Sequence, residues 1–195
     1  QTCALPILMK NILLLVHDDQ GQEARFQAAM DVARTLQGHL NCIDVSVLPV
    51  LTGDLWTTDG TAMLLEAERP RESANREVLE ARLTRDEIPW SWVDVTGELE
   101  PCLQQAAKLN DLIVVNRRLD GAWPDMRLLA SDLIVRSGKP ILAVPGEATG
   151  LNLMGHAVVA WDGSVQADNA LAAAIPLLTH ATAVTILEVV DGKKR

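Results

Sequence analysis

The chain has 195 residues, with 26 acidic against 17 basic side chains and a formal net charge of −9. A nucleic-acid binder normally presents a basic surface, and an acidic surface is repelled by anionic lipid, so we expect neither nucleic acid nor a membrane among the partners. Hydrophobic residues make up 48% of the chain and aromatic residues only 3%. This mixture of Leu, Val, Ala and Ile is typical of parallel strands buried on both faces and of helices that cover them.

The cysteine usage predicts a protein without a metal site. Cys3, Cys42 and Cys102 form no CxxC pair and no zinc-ligand spacing. We interpret Cys42 and Cys102 as buried apolar residues in a reducing compartment, the cytoplasm. The His-Asp-Asp sequence at positions 17–19 is not expected to share a metal, because adjacent side chains on a turn diverge.

The chain divides into four segments. Residues 1–8 are expected to be a non-native leader, since Met9 begins an apolar run typical of a native start. Residues 9–146 are predicted to form a first α/β domain, and residues 147–155 a linker. Residues 156–195 are expected to begin a second domain that is truncated after its opening unit.

In the first domain, short apolar runs alternate with helical patterns. The predicted strands are residues 11–16, 41–48, 90–96, 112–115 and 140–144. The predicted helices are residues 23–37, 61–86, 99–110 and 126–137, with a loop at 50–60, a bend or break near Pro70 and glycine caps at Gly38 and Gly138. This alternation predicts a doubly wound five-stranded parallel sheet, in which residues 11–16 lie centrally between the second and fourth strands.

The last part of the chain repeats the order of the first. Residues 157–160 predict a strand, residues 168–180 an Ala-rich helix and residues 183–190 another strand. A strand–turn–helix–strand order therefore recurs at the spacing of one domain. This internal repeat predicts the first β-α-β unit of a second copy.

Four stretches of this sequence resemble universal stress proteins. Residues 10–14, leading into positions 17–19, are similar to the first strand of that family, and residues 111–116 are similar to its fourth. Residues 137–145 resemble its last helix-to-strand passage, and residues 160–164 resemble the start of a second copy. The resemblance covers residues 9–195 and implies an adenine nucleotide alpha hydrolase-like fold in a tandem arrangement.

The resemblance also implies a nucleotide site beyond the carboxyl ends of the strands. In the family this crevice often holds ATP, with the adenine near a first-strand aspartate and the phosphates on a G-x-x-G loop that is followed nine residues later by Gly-Ser or Gly-Thr. Glycines let backbone amides approach phosphate oxygens, and the next helix N-terminus favours their charge. The candidate nucleotide-binding residues that the resemblance implies here are His17, Asp18, Asn116, Arg117, Ser131, Asp162, Gly163 and Ser164.

The first domain departs from the family pattern. His17 stands where the aspartate is usual, and Asn116 and Leu119 replace the two loop glycines. Ala130 and Ser131 replace Gly-Ser and are displaced by one residue. Because the phosphate loop lacks its glycines, we expect the first domain not to bind ATP.

The second copy keeps the family residues Asp162, Gly163 and Ser164, while its phosphate loop would lie beyond Arg195. We therefore expect nucleotide, ATP with Mg²⁺, to bind in the intact second domain of a complete protein.

Three functional hypotheses remain. The favoured class is a non-catalytic stress-response or signalling protein that binds a small ligand or partner, as a homodimer or through intramolecular pairing of tandem domains. One alternative is a hydrolase-like enzyme of the adenine-nucleotide-binding group, which would need a convergent catalytic set that the sequence does not display. The other alternative is a purely structural domain used for docking or dimerisation.

Overall fold

A computed structural model describes residues 9–47, 58–117 and 126–188. The first domain contains five strands, β1 (Asn11–Val16), β2 (His39–Val47), β3 (Trp90–Gly97), β4 (Leu112–Asn116) and β5 (Ile141–Val144). Its four helices are α1 (Gln22–Leu36), α2 (Thr58–Arg85), α3 (Leu99–Ala107) and α4 (Met126–Ser137). They are followed by β6 (His156–Trp161), α5 (Val165–Leu178) and β7 (Ala183–Glu188).

The five strands of the first domain form one parallel sheet in the order β3-β2-β1-β4-β5. Leu14 of β1 lies in register with Cys42 on one side and with Val114 on the other. Five of the six β1 side chains are buried, as expected for a central strand covered on both faces. The predicted fold class and the central position of β1 are confirmed.

Side chains alternate along β1 between two separate apolar cores. Ile12 and Leu14 pack with Phe26 of α1 and Leu83 of α2 on one face of the sheet. Leu13 and Leu15 belong to the other core, which α3 and α4 cover. This period of two is the pleat of a strand whose two faces are both closed by helices.

Helix α2 differs most from its prediction. It begins at Thr58, inside the predicted loop, and continues unbroken through Pro70 to Arg85, so the predicted break is wrong. A proline inside a helix removes one backbone hydrogen bond, and that loss is outweighed where the helix is anchored by packing. Leu79 and Leu83 provide that anchor, since both are buried against the sheet.

Two residues, Gln37 and Gly38, end helix α1, whereas the sequence predicted a single cap at Gly38. Gln37 takes the left-handed conformation, with φ of 50°, and Gly38 follows it without a positive φ. Gly38 is required for space, because a Cβ atom there would lie 2.8 Å from the carbonyl oxygen of Lys10. That carbonyl accepts a hydrogen bond from the amide of His39, so β1 and β2 meet tightly at this point. Gly138, by contrast, has the positive φ of 63° expected for a cap after α4.

The segment after β5 packs against the first domain. Strands β6 and β7 pair in parallel, with α5 between them, in the strand–helix–strand order that the sequence predicted. Leu151 and Leu177 pack against the core on the α1 face, and the amide of Leu151 donates to a carboxylate oxygen of Asp31 at 2.8 Å. The outer face of this unit stays apolar, because Val158 and Leu187, which the register places on the same face, are 64% and 56% exposed.

The two cysteines in the described part of the chain have different environments. Cys42 is buried, and burial together with the charge of Glu80 raises the pKa of its thiol to about 12. Cys102 is half-buried rather than fully buried, because it lines a cavity of about 400 Å³ between α3 and strands β2 and β3. Within the described residues, no helix is both long and apolar enough to cross a membrane.

The contact at Gly38 generates a prediction about stability. Gly38→Ala is expected to lower the free energy of unfolding by about 1–3 kcal/mol, since the added methyl group overlaps the Lys10 carbonyl oxygen. Gln37→Gly is the matched control, and it should raise stability by up to about 1 kcal/mol by relieving the left-handed conformation. Urea denaturation measures both variants. A Gly38→Ala protein as stable as the parent would show that the strands approach less closely.

Candidate functional site

The carboxyl ends of β1 and β4 lie side by side at the point where the sheet changes direction of winding. The chain leaves β1 for α1 on one face and leaves β4 for α4 on the other. Ligands of doubly wound sheets bind in the crevice that this divergence opens. The residues at this edge are His17, Asp18 and Asp19 after β1, and Asn116 and Arg117 at the end of β4.

A fully buried arginine occupies this crevice. Arg25 lies in the first turn of α1 with 0% of its side chain exposed. Its Nε donates to the carbonyl oxygen of Leu15 at 2.6 Å, and Nη2 donates to the carbonyl oxygen of His17 at 3.2 Å. Nη2 also pairs with a carboxylate oxygen of Asp19 at 2.9 Å, and Nη1 donates to Oδ1 of Asn116. The guanidinium group therefore joins β1, its following turn and β4.

Asn116 continues the network toward α1 and β5. Its Nδ2 donates to the carbonyl oxygens of Gly21 at 3.0 Å and of Val144 at 3.4 Å. Gly21 allows this approach, because a Cβ atom there would lie 2.6 Å from the side-chain nitrogen Nδ2 of Asn116. The amide of Gly21 in turn donates to Asp19 at 2.7 Å, so the turn before α1 is fixed on both sides.

The charge balance of this network depends on Asp19. Burial lowers the pKa of the Arg25 guanidinium, and the adjacent Asp19 carboxylate opposes that shift. An arginine stays protonated in proteins, so Arg25 is a buried cation that needs its counter-ion. Asp19 is that counter-ion, and its side chain is itself only 13% exposed.

The structure brings together some of the predicted site residues of the first domain. His17 is half-buried and contributes its carbonyl oxygen to Arg25, while Asn116 is buried and contributes its side chain. Asp18 and Arg117 are exposed at the same edge, and the amide of Arg117 donates to the carbonyl oxygen of Val144. Ser131 lies on an exposed part of α4. The predictions for Leu119 and the rest of residues 118–125 lie outside the described residues.

Sequence reasoning did not identify Arg25 as part of this site. A charged residue in the first turn of a surface helix ordinarily faces solvent, and no local pattern marks this one as buried. The available signal was its position directly before the buried Phe26, together with acidic residues in the preceding turn.

The predicted residues of the second unit form a turn at the carboxyl end of β6. Gly163 has a positive φ of 77°, and the amide of Ser164 donates to Oδ1 of Asp162 at 3.0 Å. Ser164 caps α5, because its hydroxyl oxygen accepts a hydrogen bond from the amide of Ala167 at 3.1 Å. Hydrogen bonds from Ser164 lower the pKa of the exposed Asp162 carboxyl group. Asp162 thus stays ionised at the start of a helix, near the amides of its first turn.

Within residues 9–47, 58–117 and 126–188, no group of three or more His, Cys, Asp or Glu side chains is arranged to hold a metal ion.

Comparison with known proteins finds similar solved structures but no match by sequence. No family model and no curated protein matches the chain. Among solved structures, universal stress protein UspA from Lactobacillus plantarum aligns with a TM-score of 0.57 at 16% identity, covering 70% of this chain and 97% of that one. A universal stress protein from Archaeoglobus fulgidus aligns with a TM-score of 0.62 at 16% identity. This chain has the universal stress protein fold.

The two alignments cover different shares of the chain. The Archaeoglobus fulgidus alignment spans 95% of this chain and 70% of that protein, so it extends past the first domain. A further structure, a universal stress protein in complex with cAMP, aligns with a TM-score of 0.51 at 14% identity, over 71% of this chain and 98% of that one. These likenesses establish the universal stress protein fold for the sheet and its helices.

The buried ion pair generates the second prediction. Asp19→Asn keeps the shape of the side chain but leaves Arg25 without its counter-ion, so it should lower the free energy of unfolding by about 3 kcal/mol. Glu23→Gln is the matched control, since it removes the pair between Arg82 and a Glu23 side chain that is 69% exposed. The control should cost less than about 1 kcal/mol. Equal losses in chemical denaturation would mean that Arg25 does not depend on Asp19.

Proposed function

We propose that this protein is a cytoplasmic, non-catalytic stress-response or signalling protein of the universal stress type. Residues 9–146 serve as a supporting domain whose own crevice is closed. Residues 156–195 begin a second domain of the same kind, connected through the linker at 147–155. An adenine nucleotide, ATP with Mg²⁺ in the complete protein, binds at the turn formed by Asp162, Gly163 and Ser164.

The observation that carries this proposal is the occupation of the first crevice by Arg25. Its guanidinium group and the Asn116 amide fill the gap between β1 and β4 with hydrogen bonds to the protein itself. Asn116 stands where the resemblance to the family places a loop glycine. A nucleotide entering here would have to displace a buried ion pair, which is strongly unfavourable.

The second unit offers what the first crevice lacks. Asp162 is exposed and ionised, Gly163 carries no side chain to obstruct a ligand, and the N-terminus of α5 follows directly. Helix N-termini attract phosphate because their amide groups and dipole favour negative charge. The similar fold of a universal stress protein in complex with cAMP supports a nucleotide of this class.

Two features support pairing between units of this fold. The alignment with the Archaeoglobus fulgidus protein continues into the second unit, and the linker and that unit pack on the core at the α1 face through Leu151 and Leu177 respectively. The outward apolar side chains of β6 and β7, Val158 and Leu187, favour a docking role for the same unit. We therefore infer that a homodimer or a tandem pair of domains is the working form.

Photolabelling of the complete protein with 8-azido-ATP and Mg²⁺ tests the proposed site. Labelled peptides, identified by mass spectrometry, are expected to include residues 161–166, and excess unlabelled ATP should prevent their labelling. Asp162→Ala should remove the label, because the exposed carboxylate orients the adenine side of the ligand. The substitution should leave the fold intact, since Asp162 contributes no burial.

Asp18→Ala is the matched control, because Asp18 is an exposed carboxylate after the corresponding strand of the first domain. This control should label as the parent does. Labelling of residues 16–21, or loss of labelling in Asp18→Ala alone, would place the nucleotide in the first crevice and contradict the proposal. Absence of any competable label would contradict a nucleotide role for this chain.

A further inference from the structure

An acidic cluster lies between the sheet and α2, away from the crevice at β1 and β4. Asp44 in the middle of β2 stands in register with Asp94 of β3, and Glu72 of α2 lies on the same side. Asp44 is buried, with 6% of its surface exposed, and its Oδ1 has no hydrogen-bond partner among the described residues. A buried carboxylate oxygen without a partner is costly in its ionised form.

The nearest cation does not neutralise Asp44. Arg76 of α2 pairs with Glu80 at 2.7 Å and with Asp94 at 2.6 Å, and its guanidinium group lies 5.3 Å from the ring centroid of Trp92. Glu72 is held separately, because it accepts a hydrogen bond from the hydroxyl group of Ser46 at 3.3 Å. The described groups that face Asp44 are thus two carboxylates, Glu72 and Asp94, and one arginine that is already paired.

We propose that Asp44 is a proton-operated latch that holds the middle of α2 on strands β2 and β3. With a proton on Asp44, the carboxyl group is neutral and the helix packs over it. When the proton leaves, a third negative charge forms beside Glu72 and Asp94, on a carboxyl group that is itself buried. The repulsion then loosens the segment of α2 that carries Glu72 and Arg76. The ligand of this cluster is a proton, since the described residues offer no metal-binding group.

The electrostatic environment sets the pH at which the latch opens. Burial raises the pKa of Asp44 to about 7, with further upward contributions from Glu72 and Asp94, while a backbone hydrogen bond from Val45 and the charge of Arg76 oppose the shift. The ordinary value is 3.8, so between those two values the folded protein binds a proton that the unfolded chain releases. This contribution to stability is complete below the ordinary value and is lost as the pH rises through 7.

The latch has a physical connection to the crevice of the first domain. Asn75, which lies between Glu72 and Arg76 on α2, exchanges two amide hydrogen bonds with Gln22 at 2.7 and 2.9 Å. Gln22 is the first residue of α1 and lies in the same first turn as the buried Arg25. Loosening of α2 therefore releases a contact at the start of the helix that supplies the arginine to the crevice.

A carboxyl-carbon NMR titration of the full chain tests the proposal directly. Asp44, assigned by the loss of its signal in Asp44→Asn, is expected to titrate with a midpoint near 7. Asp94→Asn should lower that midpoint by about 1 unit, because it removes one carboxylate and frees Arg76. Glu72→Gln should shift it in the same direction. A midpoint below 5, or a midpoint unchanged by both substitutions, would overturn the proposal.

Hydrogen exchange tests whether ionisation of Asp44 loosens α2 or only changes the charge of the carboxyl group. After correction for intrinsic rates, amides at 72–80 in α2 should lose protection between pH 6 and pH 8, while amides of β1 should not. Asp44→Asn should abolish this loss, because asparagine is neutral at both values. Asp94→Asn gives a second reading if Asp44→Asn folds poorly, since it should move the loss to lower pH. The same loss of protection in Asp44→Asn as in the parent would contradict the latch.

Discussion

The buried cation Arg25 is the constraint on which the carboxyl edge of the first sheet depends. A guanidinium group removed from water is tolerated only when its donors are used and its charge is paired. Asp19 supplies the charge, and Leu15, His17 and Asn116 supply acceptors from three parts of the chain. Because these partners come from β1, its turn and β4, this one interaction links the two central strands and fills the crevice between their carboxyl ends.

This arrangement is the physical basis of the proposed function. The space at the junction of β1 and β4 is filled by protein groups, and our proposal therefore assigns ligand binding to the turn after β6, where Asp162 is exposed. Helix α1 then has two roles, since it carries Arg25 into the crevice and binds the linker through Asp31. Helix α2 reaches the same place through Asn75, which gives the charge on Asp44 a path to the crevice.

The sequence predicted what depends on periodicity, and the structure was needed for what depends on distant partners. Short runs of apolar residues located all five strands of the first sheet. The turn at Asp162 was predicted from its residues alone. Arg25 was missed because its acceptor Asn116 lies 91 positions away, beyond any local pattern. Asp44 was missed for a related reason: alternation places it on the face of Cys42, but only the pairing with β3 brings Asp94 beside it. Pro70 was misjudged because downstream packing outweighed a local helix-breaking preference.

The state of the Arg25 side chain tests the central claim most directly. Its Nε–H group can be observed by ¹⁵N–¹H NMR and assigned by its disappearance in Arg25→Lys. If the guanidinium group fills the crevice and donates to Leu15, this proton should exchange slowly and remain visible after transfer to D₂O. Exchange as fast as that of an exposed arginine such as Arg117 would show that the side chain is open to water and that the crevice is free.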